Sequence, residues 1–396
     1  MTTDYHALAQ QLRPKLVEWR RDFHQHPELA FEEVRTAGIV ASELQALGME
    51  VQTGVGKTGV VGILEGAHDG PTVLLRADMD ALPIQEETGA EYASVNAGKM
   101  HACGHDAHTA IALGVAQLLS EQRDRISGRV KFVFQPAEEI AIGAKAMVDD
   151  GVLGDPRPDY TVGLHVWNSL PLGVLGVADG PTMAGASTFS IHIAGKGGHA
   201  AAPHLSIDPV VCAAHLITQL QSITSRNLDP FESAVISVAM MRAGTAHNII
   251  PETVELTGTV RTFRREVRDL VVRRMTEMTE LTCRAMGCEG MFNITHHTEP
   301  VANDPVVGEK LRPIYAAMPG VTKLDMTVRT MGSEDVGFFM QDIPGLYLFV
   351  GAADPHAETY YGHHHPRFTI DEGVLPLGVA LLSASVAAYV LPDDHA

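Results

Sequence analysis

Apolar residues recur at helical spacing in several stretches of the first third of the chain. Residues 4–24 and 31–47 show this period and predict two helices, and Gly48 follows the second in the position that a helix C-terminus favours. Two further helical patterns lie near residues 104–121 and 140–149. We therefore expect four helices before residue 151.

Short apolar runs of strand length separate these helices, at residues 72–78, 129–134 and 160–165. Such alternation is typical of a largely parallel sheet covered by helices. In sheets of this kind the ligand site lies beyond the carboxyl ends of the strands. The polar residues at or just after those ends are Asp78, Asp80, Glu138, Glu139 and His165.

The pattern changes from about residue 187. A strand with alternating polarity, a helix, two strands, a second helix and a last strand follow up to about residue 295. This βαββαβ order is that of a ferredoxin-like module, and its length of roughly 110 residues suits an inserted domain. The alternation of helical and strand patterns then returns, with a buried strand predicted at 345–350. We therefore predict a catalytic domain over 1–185 and 298–396, interrupted by a domain over 186–297.

Composition and charge argue against several classes of function. The chain has 396 residues and a formal net charge of −19, which repels phosphate backbones and anionic lipid surfaces and argues against nucleic-acid or membrane partners. Four cysteines are too few for a disulfide framework, and the first residues lack the pattern of a secretory signal. We expect a cytoplasmic protein.

One long uncharged stretch, residues 373–391, meets the length test for a membrane span. It is rich in Ala, Gly and Ser, contains Pro376, and has acidic flanks without an adjacent Lys or Arg. A buried C-terminal helix is the better interpretation.

The strongest chemical signal is residues 101–109 (HACGHDAHT). Cys103 and His105 are both good ligands for Zn²⁺, and the intervening glycine lets the backbone bend so that both point inward. The alternative is a polar loop before a helix. A nucleophilic Cys103 activated by His105 is weaker, because no orienting group or oxyanion hole is evident.

Three more segments carry candidate site residues. Glu138 and Glu139 follow a strand directly; they are either a solvated loop or, beside a metal, one ligand and one general acid/base. His165 ends an apolar strand and is either a site residue or a histidine with only a structural role. Residues 363–365 are three consecutive histidines, of which one or two can face a single site, or which form an exposed turn.

Eight short motifs carry a family resemblance. They are residues 20–28 (RRDFHQHPE), 75–83 (LRADMDALP), 101–109 (HACGHDAHT), 135–139 (QPAEE), 163–168 (GLHVWN), 195–199 (GKGGH), 332–335 (GSED) and 364–368 (HHPRF). Together, in this order, they resemble the aminoacylase/amidohydrolase branch of the M20 metallopeptidases, which includes hippurate hydrolases, auxin-conjugate hydrolases and N-acyl-L-amino-acid amidohydrolases. The resemblance implies a zinc-peptidase-like α/β catalytic domain with an inserted ferredoxin-like dimerisation or lid domain.

The resemblance also implies a site for two divalent metal ions, with Zn, Mn, Co and Ni as candidates. The implied ligands are Cys103, His105, Glu139, His165 and His364. Glu138 is implied as the catalytic base, and Asp80 as a residue that supports the site from behind. The family's His-x-Pro spacing selects His364 from the triple histidine. Because a thiolate is softer than a carboxylate, the metal preference can differ from that of branches without Cys103.

The implied reaction is hydrolysis of an N-acyl amino acid to a carboxylate and an amino acid. An activated water attacks the amide carbon, and Glu138 takes its proton and passes it to the leaving amine. The family forms dimers in which a histidine, His199 by position, helps to bind the oxyanion in a catalytic site. Asn248 and Arg261 lie in segments that resemble family segments near the substrate. Arg261 either binds the α-carboxylate bidentately or is a surface charge on a strand.

Two other functions compete. Peptide or succinyl-amide cleavage, as in other M20 branches, is disfavoured by the Cys103 motif and residues 75–83. A non-catalytic metal-binding protein needs ligands but no additional base, so Glu138 beside Glu139 argues against it. The acyl group, the amino acid and the metal are not specified by the sequence.

Overall fold

The computed structural model describes residues 3–354 and 360–391, so the last five residues of the predicted segment 298–396 lie outside the described residues. The chain forms two compact units. The first runs to Thr182, takes in Ala302–Arg329 and resumes at Asp335. The second comprises Met183–Val301 and Thr330–Glu334.

The described residues contain nine α-helices and sixteen strands. The helices are α1 (Tyr5–Gln25), α2 (Val34–Ala46), α3 (His105–Ser120), α4 (Gly143–Asp149), α5 (Pro209–Arg226), α6 (Arg265–Ala285), α7 (Pro305–Ala317), α8 (Gly337–Met340) and α9 (Val374–Val390). The strands are β1 (Glu50–Val55), β2 (Gly59–Glu65), β3 (His68–Asp78), β4 (Ser127–Gln135), β5 (Tyr160–Pro171), β6 (Val174–Gly176), β7 (Gly180–Met183), β8 (Gly185–Ala194), β9 (Gly198–His199), β10 (Ala234–Ala243), β11 (Ile249–Ile250), β12 (Thr253–Thr262), β13 (Glu289–His297), β14 (Val301–Asn303), β15 (Lys323–Asp325) and β16 (Gly345–Ala353).

The first unit is built on an eight-stranded sheet of order β1-β2-β4-β3-β5-β16-β6-β15. The four central strands, β4, β3, β5 and β16, are parallel to one another, and β1 and β2 are added antiparallel at one side. The predicted mostly parallel sheet is therefore confirmed. Its parallel centre brings the carboxyl ends of neighbouring strands to one edge, with Asp78 of β3 opposite Gln135 of β4.

Helices α1, α3 and α9 supply much of the core of the first unit. Every residue of α9 is buried, which confirms the predicted C-terminal helix. In the part of the chain that the structure describes, we find no helix with the length and apolar character needed to traverse a bilayer. The apolar all-round character of α9 therefore reflects burial within the protein.

The second unit has the order β8-α5-β10-β12-α6-β13 around a four-stranded antiparallel sheet, β10-β12-β8-β13. Alternate residues of β8, such as Phe189, Ile191 and Ile193, are buried in a core that also includes Leu216 of α5 and Met275 of α6. The short strands β9 and β11 pair separately. The βαββαβ order matches the sequence pattern, and the dimerisation or lid role stays a prediction.

Several elements differ from the sequence-based expectation, among them α4 and β1. The helix predicted over 140–149 begins at Gly143, because residues 138–141, which include the carboxylate pair, form a turn. Strand β1 was not predicted. It lies at an edge of the sheet with most of its side chains exposed, and so lacks a clear apolar period.

Candidate metal centre

The first unit gathers the predicted ligands where its parallel strands end. Asp78 closes β3, the segment 136–139 follows β4, and His105 is the first residue of α3. His165 lies within β5, which continues to Pro171, so the prediction that His165 ends its strand is wrong. Because β3, β4 and β5 are neighbours in the sheet, residues that are far apart in sequence converge. This is the edge at which ligands bind in open α/β sheets.

The bend before α3 depends on Gly104. Its φ of 89° lies in the left-handed region, and a Cβ there would come within 2.4 Å of Cγ2 of Val166. A side chain at this position is therefore disfavoured by both conformation and space. The predicted bend at Gly104 is confirmed, and it presents Cys103 and His105 on the same side of the loop.

Cys103 and His165 form one half of the cluster. The Sγ atom of Cys103 lies 3.6 Å from Nε2 of His165. Nδ1 of His165 donates to the carbonyl of Val166 at 2.8 Å, which leaves the lone pair of Nε2 facing the sulfur. Burial, with the nearby imidazoles of His108 and His363, holds the pKa of His165 well below its usual value. His165 is therefore neutral and suited to bind a cation.

His105 and the two glutamates form the other half. Nδ1 of His105 donates to the carbonyl of Asp80 at 2.9 Å, and Nε2 lies 3.8 Å from oxygens of both Glu138 and Glu139. Nε2 of His105 and Oε1 of Glu139 are buried and make no hydrogen bond. When the ring of His105 is neutral, its Nε2 and Oε1 of Glu139 are two acceptors that face each other, and a metal ion would satisfy both.

The electrostatics of the cluster also favour a cation. Burial lowers the pKa of His105, but the negative charges of Asp78, Glu139 and Asp80 outweigh it and raise the pKa to about 10. Four carboxylates, those of Asp78, Asp80, Glu138 and Glu139, lie within 3.8 Å of the His105 ring nitrogens. Such a concentration of buried negative charge favours the binding of a cation.

Of the three consecutive histidines, His364 places a ring nitrogen beside a predicted ligand carboxylate. Nε2 of His364 lies 3.3 Å from Oε2 of Glu139. Nε2 of His363 instead donates to the carbonyl of Val166 at 3.0 Å, and Nδ1 of His365 accepts the N–H of Arg367 at 3.0 Å. The backbone of His364 is left-handed, with a φ of 66°, which separates its side chain from those of its neighbours.

The potential ligand atoms group into overlapping sets whose members lie within 4.8 Å of one another. Three of these sets are Cys103–His105–His165, Cys103–Glu139–His364 and His105–Glu138–Glu139. The structure thus brings together all five predicted ligands and the predicted base. Shared members such as Cys103 and Glu139 make the sets adjacent to each other.

Asp80 holds the two glutamates through their backbone. Its Oδ1 accepts the N–H of Glu138 and its Oδ2 accepts the N–H of Glu139, each at 3.0 Å. Its carbonyl accepts Nδ1–H of His105. One fully buried residue therefore orients three of the candidate site residues.

Asp78 and His108 contribute to the site in a way that the sequence did not reveal. Nδ1 of His108 donates to Oδ1 of Asp78 at 2.6 Å, while its Nε2 accepts the N–H of Val166 at 2.9 Å. With both nitrogens occupied, His108 is a support and has no lone pair for a metal. Arg76 completes the group, donating to Asp78 at 2.6 Å from inside β3. The sequence did offer one sign of this group: Arg76 is a charged residue within an otherwise apolar strand.

A buried ion pair anchors the start of α3. Arg20 and His24, both on α1, contact Oδ2 of Asp106 at 2.9 and 2.8 Å. All three side chains are buried. This contact explains why residues 20–28 belong with the metal motif although they supply none of the predicted ligands.

The remaining candidates lie in the second unit. His199 is exposed on β9, and its Nδ1 accepts the N–H of Ala201 at 3.0 Å, which places the ring proton on Nε2 in the neutral form. The carbonyl of Asn248 accepts the N–H of Ala200 at 3.1 Å, so Asn248 lies beside the His199 segment. Arg261 lies on β12, and its Nη1 donates to the carbonyl of Met331 at 2.7 Å.

Comparisons with known proteins agree with this chemistry. A model of peptidase family M20/M25/M40 matches residues 74–388. An N-acetylcysteine deacetylase of Bacillus subtilis is 40% identical over 382 residues, covering 95% of this chain and 97% of the relative. Thermostable carboxypeptidase 1 of Saccharolobus solfataricus is 39% identical over 384 residues, covering 96% of each chain.

One similar solved structure is described as a metal-binding protein. The Bacillus subtilis protein YXEP, described as a dinuclear metal-binding peptidase of the M20 family, superposes with a TM-score of 0.84 at 35% identity. The match covers 96% of this chain and 98% of that one.

Proposed function

The chain belongs to peptidase family M20/M25/M40, and from this premise we propose that it hydrolyses the amide bond of N-acyl-L-amino acids to a carboxylate and a free amino acid. The enzyme is a metal-dependent amidohydrolase. The observation that carries the proposal is the position of Glu138: a carboxylate beside the ligand cluster, adjacent to Glu139 and held by the same aspartate.

The donor set is suited to divalent cations. We propose two ions per subunit, held by the five residues whose side chains converge at the strand ends. These are Cys103, His105, Glu139, His165 and His364. Thiolate and imidazole favour Zn, Co or Ni, and the carboxylate also accommodates Mn. Bound there, divalent cations polarise the scissile carbonyl and increase the acidity of an attacking water.

Glu138 performs the proton transfers. Its Oε2 lies 3.8 Å from Nε2 of His105, so it faces the ligand cluster while its backbone is fixed by Asp80. It takes the proton of the attacking water and delivers it to the nitrogen of the leaving amine. A separate residue for this task is what distinguishes a hydrolase from a storage protein, which needs ligands only.

Residues of the second unit complete the proposal. We propose a homodimer in which Nε2–H of His199 stabilises the oxyanion that forms in the partner subunit. The tautomer set by Ala201 and the exposure of the ring support this role. Asn248 and Arg261 are proposed to contact the substrate, with the guanidinium pairing with the α-carboxylate of the amino acid.

The proposed setting is the cytoplasm, with a small molecule as substrate. The chain has four cysteines, too few for a disulfide framework, which favours a reducing compartment. The formal net charge of −19 remains the argument against nucleic-acid and membrane partners.

A second candidate function follows from the relative named thermostable carboxypeptidase 1, which is almost as similar as the deacetylase. In that case the amide cleaved is a peptide bond. The two candidates differ in the group on the acyl side of the bond, a neutral acyl chain in one and an amino-acid residue in the other.

A substrate screen tests the proposal. The protein is reconstituted separately with Zn²⁺, Mn²⁺, Co²⁺ and Ni²⁺ and assayed for amino-acid release from acetyl, benzoyl, indole-acetyl and long-chain acyl amino acids, and from dipeptides. We expect turnover of at least one acyl series and none by Glu138→Gln. Turnover of dipeptides alone would favour the second candidate. Wild-type turnover that Glu138→Gln retains would overturn the catalytic assignment.

A further inference from the structure

A buried carboxylate outside the predicted ligand set reaches the catalytic loop from behind. Glu33 directly precedes α2 and is fully buried. Its Oε1 accepts the N–H of Ala137 at 2.9 Å, and its Oε2 accepts the hydroxyl of Thr58 at 2.5 Å. Ala137 is the residue before Glu138, so the contact is made one residue from the proposed base.

The orientation of Glu33 is informative. An acidic side chain at the start of a helix ordinarily interacts with the unpaired N–H groups of the first turn. Glu33 occupies the N-cap position of α2 but makes no side-chain cap hydrogen bond. Its carboxylate instead turns towards the loop between β4 and α4, where a buried charge needs compensating hydrogen bonds.

The loop needs such support because its backbone is strained. Ala137 has a φ of 52°, in the left-handed region that is unfavourable for a residue other than glycine. Its side chain is fully buried. Strained backbone near a functional site persists only where surrounding contacts determine it. The N–H of Ala137 is held by Glu33, and its carbonyl accepts the N–H of Gly143 at 3.2 Å.

Glu33 and Asp80 together hold three consecutive backbone N–H groups. Glu33 accepts from residue 137, and Asp80 accepts from residues 138 and 139. Hydrogen bonds to ionised acceptors are stronger than neutral ones. The two carboxylates therefore define the path of the chain from which the side chains of Glu138 and Glu139 project.

We propose that Glu33 is a positioning residue for the reaction: by holding the N–H of Ala137 it sets the direction in which Glu138 and Glu139 face the ligand cluster. The inference rests on the proposed role of Glu138. In this role Glu33 contacts neither the substrate nor a metal-ligand atom; its carboxylate accepts hydrogen bonds from Ala137 and Thr58. A purely structural alternative is that Glu33 ties α2 to the turn at residues 56–58 through Thr58.

Four variants separate these accounts. Glu33→Ala removes both contacts, and Glu33→Gln keeps a carbonyl acceptor for Ala137 while its amide can donate to the Thr58 oxygen. Thr58→Val removes only the contact to the turn. Glu32→Gln is the matched control, because Glu32 is the exposed neighbour that pairs with Lys99 on the surface. Each variant is loaded with Co²⁺ and measured for kcat, KM, visible absorption spectrum and Tm.

The positioning role predicts a specific pattern. Glu33→Ala lowers kcat about 10- to 100-fold with little change in KM, as expected for a displaced catalytic group, and alters the Co²⁺ spectrum because Glu139 moves. Glu33→Gln, Thr58→Val and Glu32→Gln stay within about threefold of wild type in kcat, since Ala137 keeps its acceptor. A lower Tm of Thr58→Val with unchanged kcat agrees with the proposal, because this variant loses only the contact to the turn.

Two results would overturn the proposal. One is a folded Glu33→Ala protein with wild-type kcat and Co²⁺ spectrum. The other is equal loss of kcat in Glu33→Ala and Thr58→Val, in proportion to their loss of Tm, which would assign Glu33 to the structural tie.

Two further measurements cover the remaining cases. If Glu33→Ala does not fold, Glu33→Asp replaces it: the charge is kept but the shorter side chain withdraws from Ala137, and wild-type kcat in that variant contradicts the proposal. If wild-type protein turns over no acyl amino acid, the proposed function fails. The Co²⁺ spectra of the same variants still decide whether Glu33 positions the ligand loop.

Discussion

The sulfur of Cys103 lies 3.6 Å from Nε2 of His165, although the two residues are 62 positions apart. The loop before α3 and strand β5 thus deliver one soft and one borderline ligand to the same point. Neither residue identifies a metal centre by itself, and their proximity is the clearest reason to expect one.

A bound metal ion should protect Cys103 from alkylation. The thiolate is the reactive form, and a metal ligand has its lone pair engaged. We expect slow labelling by iodoacetamide in metal-loaded protein and rapid labelling after treatment with a chelator, measured by mass spectrometry of the peptide containing Cys103. Equal labelling in both forms would remove Cys103 from the ligand set.

Glu138 and Glu139 should fail in different ways when substituted. Glu138→Gln keeps shape and removes the base, so we expect bound metal to remain while kcat falls by several orders of magnitude. Glu139→Ala removes a ligand, and metal content should fall. Metal analysis with single-turnover kinetics on both variants checks this. The opposite pattern would exchange the two roles.

The triple histidine offers matched variants. His364→Ala removes the imidazole that faces Glu139 at 3.3 Å, and we expect weaker metal binding and loss of turnover. His365→Ala removes an exposed imidazole that faces Tyr361 instead, and both properties should stay near wild type. Titration with Zn²⁺ against a competing chelator measures the difference. Similar affinities in the two variants would contradict the assignment of His364.

Subunit mixing tests His199. Loss of one oxyanion donor costs on the order of 10²- to 10³-fold in kcat, so His199→Ala should retain its metals but have very low activity. If His199 acts on the partner subunit, a heterodimer of His199→Ala and Glu138→Gln has one site with both lesions and one with neither. Activity should therefore return on mixing. Heterodimers that form without recovering activity would place His199 in its own chain's site or in a structural role.

The thiols of the second unit should make its stability fall at alkaline pH. Burial raises the pKa of Cys212 and Cys288 to about 11, above the value near 8.5 of an unfolded thiol. Between these pH values the folded chain holds protons that the unfolded chain releases, so the free energy of unfolding decreases as pH rises.

Denaturant unfolding at pH 8, 9 and 10 measures this slope. Cys288→Ala, which removes one of the two groups, should show a shallower decrease. An identical slope in the variant and the wild-type protein would mean that the thiol does not titrate differently in the folded state.

Much of the fold was accessible from the sequence because periodicity is a local property. The helical period of residues 4–24 and the apolar runs that became β3, β4 and β5 each depend on neighbours a few positions away. The edge strand β1 could not be predicted in this way, because its exposed side chains show no apolar period. The parallel sheet then followed from the alternation of elements, and with it the edge at which a ligand site was to be expected.

The candidate site was predictable as a set of residues but less so as an arrangement. The family resemblance implied Cys103, His105, Glu139, His165 and His364 as ligands. It did not show that His108 has both ring nitrogens engaged, by Asp78 and Val166. Reasoning from the residues alone also left the choice among the three histidines open. The left-handed backbone at His364 and the contact of His363 with Val166 supply the physical reason for that choice.

The sequence by itself therefore determined many of the elements, the fold class and the residue types available for chemistry, because these depend on local spacing and on side-chain chemistry. Only the tertiary structure decided which atoms meet. Glu33 and Ala137 are 104 positions apart, and nothing near either residue in the sequence indicates their contact. A hydrogen bond requires two groups within about 3 Å in a suitable direction, and that condition is met only when the packed sheet brings distant segments together.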